Sequence, residues 1–187
     1  MKIILASGSP RRKQLMELAG IKCEILITNA DETITGLPAD QAVRLALRKA
    51  NAAMEMAQDK TAVYIAADTI VSFENNVFGK PENPDDAFQM LSSMSGNKHT
   101  VYTGVAIKSA GFERSFVEAT DVYFRKLSDK EIWDYIATGE PFDKAGSYGA
   151  QEKGSLLISR VEGDFYTVVG LPISKVWEVL LELGVVK

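Results

Sequence analysis

The chain has 187 residues, 46% of them hydrophobic, and its 21 Lys and Arg against 25 Asp and Glu give a net charge of −4. This length allows one domain or two small lobes, and the mild acidity argues against general nucleic-acid binding. One cysteine and one histidine exclude an internal disulfide and a metal site built from several thiolates or imidazoles. The N-terminal apolar run is too short for a signal peptide or a membrane span, so we expect a cytoplasmic protein without a membrane partner.

The first predicted elements are a strand over residues 3–5, a polar turn and a helix. The apolar run favours a strand buried on both faces. Ser9 is expected to cap the helix, Pro10 to occupy its first turn and Gly20 to end it. The predicted inward face of the helix comprises Leu15, Leu18 and Ala19.

Two arginines in that first turn are unusual. A negative charge near a helix start is stabilising by roughly 0.3–1 kcal/mol. The positive charges of Arg11 and Arg12 are therefore unfavourable there. Together with the Ser7 hydroxyl and the free N–H groups of the helix start, the two guanidinium groups would suit a phosphate. A solvated arginine pair beside a tight turn accounts for the same residues.

An acidic loop follows the second predicted strand, residues 23–27. Asp31 and Glu32 lie in this loop. Paired carboxylates after a strand can hold a hard cation such as Mg²⁺ or Mn²⁺ through oxygen. An ordinary exposed loop has the same composition.

A long helix is predicted over residues 38–58, with a stripe of small residues that Lys49 interrupts. Lys49 either reaches solvent or crosses a cleft to a phosphate. The strand predicted over residues 62–71 is interrupted in turn by Asp68 and Thr69. A carboxylate within an apolar strand is costly unless it is paired or bound to a cation, so Asp68 is expected to activate water, bind a metal, or do both.

The middle of the chain is predicted to contain a hairpin at residues 73–78, a helix from about 84 to 94, and antiparallel strands at 99–107 and 112–124. Lys80 follows the hairpin, and Pro81 favours an extended backbone there. His99 is interpreted as a structural hydrogen-bonding residue, with ligand contact as the alternative.

The last third of the chain carries a second polar loop. A capping box predicts a helix from Ser128 to Thr138. Residues 140–151 then combine several glycines with Asp143, Lys144 and Gln151, which is more polar chemistry than a connector needs. A closing hairpin is predicted from residues 156–161 and 166–169, before a C-terminal helix that starts at Pro172.

These residue types together indicate chemistry on a polyphosphate. The predicted site comprises Ser7, Arg11, Arg12, Lys49 and Lys80 as hydroxyl and cations, and Asp31, Glu32, Asp68 and Asp143 as acids. Cations neutralise a polyphosphate, acids hold a divalent metal, and one acid can activate water. Since no Walker loop or Rossmann glycine fingerprint is present, the sequence predicts a metal-dependent enzyme acting on a nucleotide-like polyphosphate.

Six motifs in order resemble those of the Maf family. They are ASGSPRR at residues 6–12, AADTIV at 66–71, GKP at 79–81, SGNKHTVYTGVA at 95–106, EPFDKAGSYGAQ at 140–151 and VVGLPIS at 168–174. The resemblance spans essentially the whole chain. It implies a single domain over residues 1–187, with an α/β fold in which a mixed sheet and flanking helices form two lobes, as in inosine-triphosphate pyrophosphatases, and an active-site cleft between them.

The resemblance also implies an activity and the residues that perform it. Family members cleave nucleoside triphosphates between the α and β phosphates, giving a monophosphate and pyrophosphate, and need a divalent cation. By motif, Asp68 matches the proton acceptor for water, and Asp31 or Glu32 matches the acidic metal-site position. The phosphate-binding positions correspond to Ser7, Arg12, Lys49 and Lys80. The positions tied to substrate choice correspond to Arg11, Thr69 and Gln151.

The loop DKAGSYGAQ resembles the subgroup that acts on dTTP and UTP. The 7-methyl-GTP subgroup, which is the alternative, typically has Cys at the position of Lys144. Glu152 is a departure, because the dTTP/UTP subgroup often has Gly after the glutamine that matches Gln151. The family resemblance further implies a homodimer. A nucleotide-binding regulator of septum formation that needs no turnover is the alternative from another class.

Overall fold

The computed structural model describes residues 1–33 and 35–187 and shows one mixed sheet with helices packed against it. The described residues form the strands β1 (Ile3–Leu5), β2 (Glu24–Ile25), β3 (Val63–Phe73), β4 (Asn76–Phe78), β5 (Lys98–Ser109), β6 (Phe112–Phe124) and β7 (Ile158–Glu162). The sheet order is β2-β1-β3-β5-β6-β7, with β4 paired to β3. β1 is parallel to β2 and β3, and the remaining pairs are antiparallel. The predicted mixed α/β class is confirmed.

Helices surround this sheet. They are α1 (Pro10–Leu18), α2 (Pro38–Ala57), α3 (Pro84–Met94), α4 (Asp129–Ile136), α5 (Phe165–Val169) and α6 (Ile173–Glu182). Short 3-10 turns at Glu140–Asp143, Ala145–Ser147 and Lys153–Leu157 replace a simple loop after α4. None of these described helices has both the length and the apolar character that crossing a bilayer requires.

The apolar side chains of the central strands divide between the two faces of the sheet and along its length. Leu5 and Ile65 belong to a core shared with α1 and α6, whereas Tyr64 packs beneath α2 on the opposite face. Farther along β3, Val71 belongs to a separate core with α3 and α4. Asp68 and Thr69 fall between these cores, so the polar interruption of β3 lies where its buried contacts change from one set of helices to another.

Helix α2 lies unusually close to the sheet. Ala42 and Ala46 are fully buried on the face that packs on β3 and β5. A Cβ atom at Gly104 would lie 2.2 Å from the carbonyl carbon of Ala42, so no larger residue fits at this crossing. The close approach brings the Lys49 side chain of α2 within reach of Asp68 on β3.

The prediction of a closing hairpin was wrong in its second half. Residues 166–169 belong to helix α5, whose start is capped by the Asp164 side chain accepting from the Tyr166 backbone N–H at 3.0 Å. Gly170 ends the helix at φ 117°. The aromatic and β-branched residues of this segment favour a strand, but the side-chain cap at Asp164 begins a helix there instead.

The start of the chain departs from prediction in three details. Leu18 is 66% exposed, and Met16 is buried beside Leu15 in its place. The Ser9 side chain does not cap α1; instead its backbone N–H donates to Ser7 Oγ at 3.2 Å. Of the second predicted strand, residues 23–27, only Glu24–Ile25 pairs with β1.

Candidate active site

A polar cleft of about 670 Å³ opens at the point where β1 and β3 end their parallel pairing. Its walls come from the start of α1, the middle of β3, the segment after β4 and the 3-10 turns that follow α4. The lining includes Ser7, Arg11, Arg12, Glu32, Lys49, Asp68, Thr69, Lys80, Asp143, Lys144 and Gln151. The volume lies within the range typical of small-molecule sites.

Arg12 is the most firmly held cation of the cleft. Its Nε donates to the Gly170 carbonyl at 2.8 Å, one terminal nitrogen donates to Ser7 Oγ at 3.2 Å, and the other donates to Thr69 Oγ1 at 3.1 Å. Burial lowers the pKa of the guanidinium, and the negative charge of Asp68 opposes that effect. The planar group is therefore fixed on three sides before any ligand arrives.

Two carboxylates converge on the amine of Lys49. Its Nζ lies 2.6 Å from Asp68 Oδ1 and 2.7 Å from Glu32 Oε1. The Asp68 side chain is 14% exposed and that of Glu32 is 67% exposed. The hydrogen bond from Lys49 lowers the pKa of Glu32. Of the two alternatives for Lys49, the side chain turns into the cleft and does not run out to solvent.

The two acids of the early loop have different surroundings. Glu32 lines the cleft. Asp31 accepts from the Thr33 backbone N–H at 2.9 Å and lies 3.7 Å from Arg48, on the outer side of the loop. Asp31 is not among the residues that line the cleft in the described chain, so Glu32 is the loop acid that faces Asp68.

The opposite wall is organised by Lys144. This side chain is only 7% exposed, and its Nζ donates to Asp143 Oδ1 at 2.7 Å and to the Glu140 carbonyl at 2.9 Å. Asp143 in turn lies 3.5 Å from Arg11 of α1. Glu152 approaches Lys144 at 3.5 Å, so the residue that departs from the family pattern joins the same ion-pair network.

Tyr148 closes the back of the cleft, and a histidine supports it. His99 Nε2 lies 2.8 Å from the Tyr148 hydroxyl, and both rings contact Phe124 edge-on. Burial raises the pKa of Tyr148 and lowers that of His99 to about 4. His99 Nδ1 is buried without a partner among the described residues, so a second N–H there would be unsatisfied. His99 is not among the cleft-lining residues, which agrees with the structural interpretation.

This buried histidine predicts a loss of stability in weak acid. Because the pKa of His99 falls from 6.5 when unfolded to about 4 when folded, the unfolded chain takes up a proton first as the pH drops. We expect the free energy of unfolding to fall by about 2 kcal/mol between pH 7 and pH 5 through this group, with little further loss from it below pH 4. Urea unfolding at several pH values measures this, and His99→Gln should flatten the dependence above pH 5. An equally steep dependence in the variant would contradict the assignment.

Two groups that fix Arg12, one directly and one through Thr69, are absent from the predicted site residues. The Gly170 carbonyl, which accepts from Arg12, carries no side-chain signal, and Thr103, which contacts Thr69, lies within a predicted strand. Thr103 is fully buried, and its Oγ1 lies 2.9 Å from Thr69 Oγ1. A threonine at a buried strand position is the signal that identifies it, because a buried hydroxyl requires a partner.

The donor set fits a divalent cation that arrives with its ligand. No group of three or more His, Cys, Asp or Glu side chains within residues 1–33 and 35–187 is arranged to hold a metal. Asp68 and Glu32 nevertheless face one point, now taken by the Lys49 amine. Mg²⁺ is commonly held by one or two carboxylates completed by substrate phosphates and water, which this pair provides for.

Comparison with known proteins agrees with the six motifs. Residues 2–183 match the sequence model of a family described as Maf-like protein. The chain belongs to the Maf family. Its similarity to a dTTP/UTP pyrophosphatase of Bacillus cereus is 50% identity over 176 residues, covering 93% of this chain and 91% of the relative.

Other Maf relatives carry the same name. A dTTP/UTP pyrophosphatase of Bacillus anthracis is 48% identical over 186 residues, covering 98% of this chain and 96% of the relative. Among solved structures, the nucleoside-triphosphatase or dITP/XTP pyrophosphatase of Mycobacterium abscessus is similar with a TM-score of 0.40 and 15% identity, over 68% of this chain and 76% of that one.

Proposed function

We propose that this Maf protein is a nucleoside triphosphate pyrophosphatase that hydrolyses dTTP and UTP to the monophosphate and pyrophosphate. The observation that carries the proposal is that Asp68 and Arg12, which come from different elements, line one cleft together with Lys49 and Lys80. A carboxylate among several cations in one cleft suits the hydrolysis of a polyphosphate, because the cations neutralise the phosphates and the carboxylate can accept a proton from water. Relatives at 48–50% identity named dTTP/UTP pyrophosphatase support the choice of substrate.

The cations of the cleft have different roles in binding the polyphosphate. Arg12 and Ser7 form a rigid corner at the start of α1, where the helix dipole also favours an anion. Lys80, on the exposed segment after β4, offers a further ammonium to the cleft. When the substrate binds, the Lys49 ammonium leaves the Asp68 and Glu32 carboxylates and pairs with a phosphate instead. Arg12, Lys80 and Lys49 together then offset the negative charge of the three phosphates, while the cleft stays open to solvent.

Asp68 is the group we assign to proton transfer. Its carboxylate faces the cleft at the end of the parallel pairing of β1 and β3, and a water on that side can donate to its free oxygen. Proton acceptance by a positioned carboxylate contributes typically ~10²–10⁴-fold to a rate. The positive charge of Arg12 stabilises the negative charge that builds up on the phosphate oxygens.

We further propose that Asp68 and Glu32 hold a divalent cation, Mg²⁺ or Mn²⁺, together with substrate oxygens. When bound, such an ion polarises the phosphoryl group and offsets its charge. We also propose a cytoplasmic location and a homodimer, which equilibrium sedimentation would test.

Gln151 is the residue we assign to recognition of the base. It is exposed and lines the cleft, as Tyr148 does, and its side-chain amide can both donate and accept. Uracil and thymine present one N–H between two carbonyls, which an amide can match. We expect Gln151→Ala to reduce the preference for dTTP over GTP by ~10-fold or more, because a lost pair costs roughly 1–3 kcal/mol.

The test of the proposed function is a panel of triphosphates: dTTP, UTP, GTP and 7-methyl-GTP, each assayed for pyrophosphate with Mn²⁺. We expect the wild type to favour dTTP and UTP and Gln151→Ala to lose that preference. Glu152→Gln is the control at the neighbouring position, because the Glu152 side chain faces Lys144. This variant should keep the wild-type ranking of the four triphosphates. A ranking that is the same in Gln151→Ala and the wild type would refute the role of Gln151, and binding without pyrophosphate release would indicate a regulator.

A further inference from the structure

A chain of hydrogen bonds runs from the cleft into the core behind it. It begins at Arg12, whose terminal nitrogen lies 3.1 Å from Thr69 Oγ1. Thr69 Oγ1 lies 2.9 Å from Thr103 Oγ1, and Thr103 Oγ1 lies 2.8 Å from the Thr167 carbonyl of α5. Thr69 and Thr103 are directly opposed across β3 and β5. Thr103 and Thr167 are fully buried, so water cannot replace the bond between them.

The direction of every bond in this chain is fixed by its two ends. The Thr167 carbonyl can only accept, so the single hydroxyl hydrogen of Thr103 is donated to it. Thr69 must then donate its own hydrogen to Thr103. Arg12 can only donate, so it gives an N–H to a lone pair of Thr69. Each hydroxyl has one hydrogen, and no other assignment satisfies all three contacts.

We propose that Thr103 is a positioning residue for the polyphosphate site, acting on Arg12 through Thr69. By taking the hydroxyl hydrogen of Thr69, it leaves only lone pairs facing the guanidinium. Without Thr103, the Thr69 hydroxyl is free to rotate and can direct its hydrogen at Arg12, which repels it. The proposal rests on the proposed function in that it takes Arg12 to bind the phosphates of the substrate.

The same hydrogen bonds limit what Thr69 can offer a ligand. Thr69 matches a family position tied to substrate choice. Its only hydrogen is committed to Thr103, so it cannot donate to a phosphate or to a base carbonyl. One lone pair is taken by Arg12, which leaves the other to accept. Any influence of Thr69 on substrate choice therefore passes through the orientation of Arg12 or through an N–H of the ligand.

The test compares Thr103→Val, which keeps the shape and loses the hydroxyl, with Thr103→Ser, which keeps the hydroxyl. Thr120→Val is the matched control, because Thr120 is equally buried and donates to the Asp164 carbonyl at 2.9 Å without touching Arg12 or Thr69. For Thr103→Val we expect KM for dTTP to rise about tenfold and kcat to change by less than about twofold, since a bond to a charged group is weakened. Thr103→Ser and Thr120→Val should keep the wild-type KM within about twofold.

Two further measurements separate positioning from simple loss of stability. Calorimetric binding of inorganic triphosphate should weaken about tenfold in Thr103→Val and stay unchanged in Thr120→Val, at matched melting temperatures. In a Thr69→Val background, Thr103→Val should add no further loss of binding, because its effect passes through Thr69.

The inference is overturned if Thr103→Val and Thr120→Val behave alike, if Thr103→Ser is as impaired as Thr103→Val, or if the effects of Thr69→Val and Thr103→Val simply add. If the wild type binds triphosphate and releases no pyrophosphate from dTTP, the proposed function fails and the binding series still decides the role of Thr103. A wild type that releases pyrophosphate from dTTP, beside a Thr103→Val variant that keeps the wild-type KM, overturns the inference and leaves the proposed function standing.

Discussion

Asp68→Asn is expected to lower kcat for dTTP by about 10²–10⁴-fold, the loss typical of removing a positioned proton acceptor. The amide has the same shape and can still accept from Lys49, so the cleft and the fold should persist. It cannot take a proton from water at neutral pH. Initial rates measured at saturating Mn²⁺ isolate this effect, because any weakened metal binding is then overcome.

The matched control for this substitution is Asp121→Asn. Asp121 lies on β6 and accepts from Lys98 and Thr100, remote from the cleft. Its loss should leave kcat within about twofold while likewise removing a carboxylate that pairs with a lysine. If Asp68→Asn retained more than about a tenth of wild-type kcat, another group would have to be the proton acceptor.

Arg12→Lys should raise KM for dTTP at least about 100-fold, even though the charge is kept. A lysine has no planar fork, so it cannot reach the Gly170 carbonyl, Ser7 and Thr69 together. A carbonyl left without its donor in this half-buried corner costs a further ~1–3 kcal/mol of folding stability. Substrate titration and thermal melting, measured on the same preparation, record both losses.

Arg114→Lys controls for the general effect of such a change. Arg114 is exposed on β6 and pairs with Glu182 of α6, away from the cleft. We expect its kinetic constants to match the wild type. A normal KM in Arg12→Lys would mean that the corner at α1 contributes charge alone, and that the fixed orientation of the guanidinium is irrelevant to binding.

The sequence grouped Ser7 and Asp68 in one predicted site by residue type alone, and the register of the sheet shows how they meet. Leu5, the last residue of β1, pairs with Ile65 in parallel register, so Ser7 follows the end of β1 where β3 continues on to Asp68. The interruption of an apolar strand by Asp68 needed no coordinates to be noticed, because a carboxylate in that pattern is costly without a partner.

Other features depended on contacts between distant segments. Local propensity favoured a strand at residues 166–169, but the Asp164 side chain caps the chain there and begins helix α5. That helix supplies the Thr167 and Gly170 carbonyls that orient Thr103 and Arg12. Backbone acceptors of this kind have no residue signature, so no pattern in the sequence could assign them.

The choice between Asp31 and Glu32 also needed the fold. Adjacent residues of one acidic loop have equal chemistry and spacing. The Asx-type bond from the Thr33 N–H and the neighbouring Arg48 draw Asp31 outward, which leaves Glu32 to face Lys49. Helix α2 supplies both cations, with Arg48 meeting Asp31 and Lys49 meeting Glu32.

We expect the cleft to hydrolyse the bond between the α and β phosphates of dTTP. Phosphorus NMR of dTTP incubated with the protein and Mg²⁺ identifies the bond that breaks, with Asp68→Asn as the comparison sample. dTMP and pyrophosphate should form in equal amounts, and about 10²–10⁴-fold more slowly with Asp68→Asn. Formation of dTDP and orthophosphate, or an equal rate in the Asp68→Asn sample, would refute the proposed reaction.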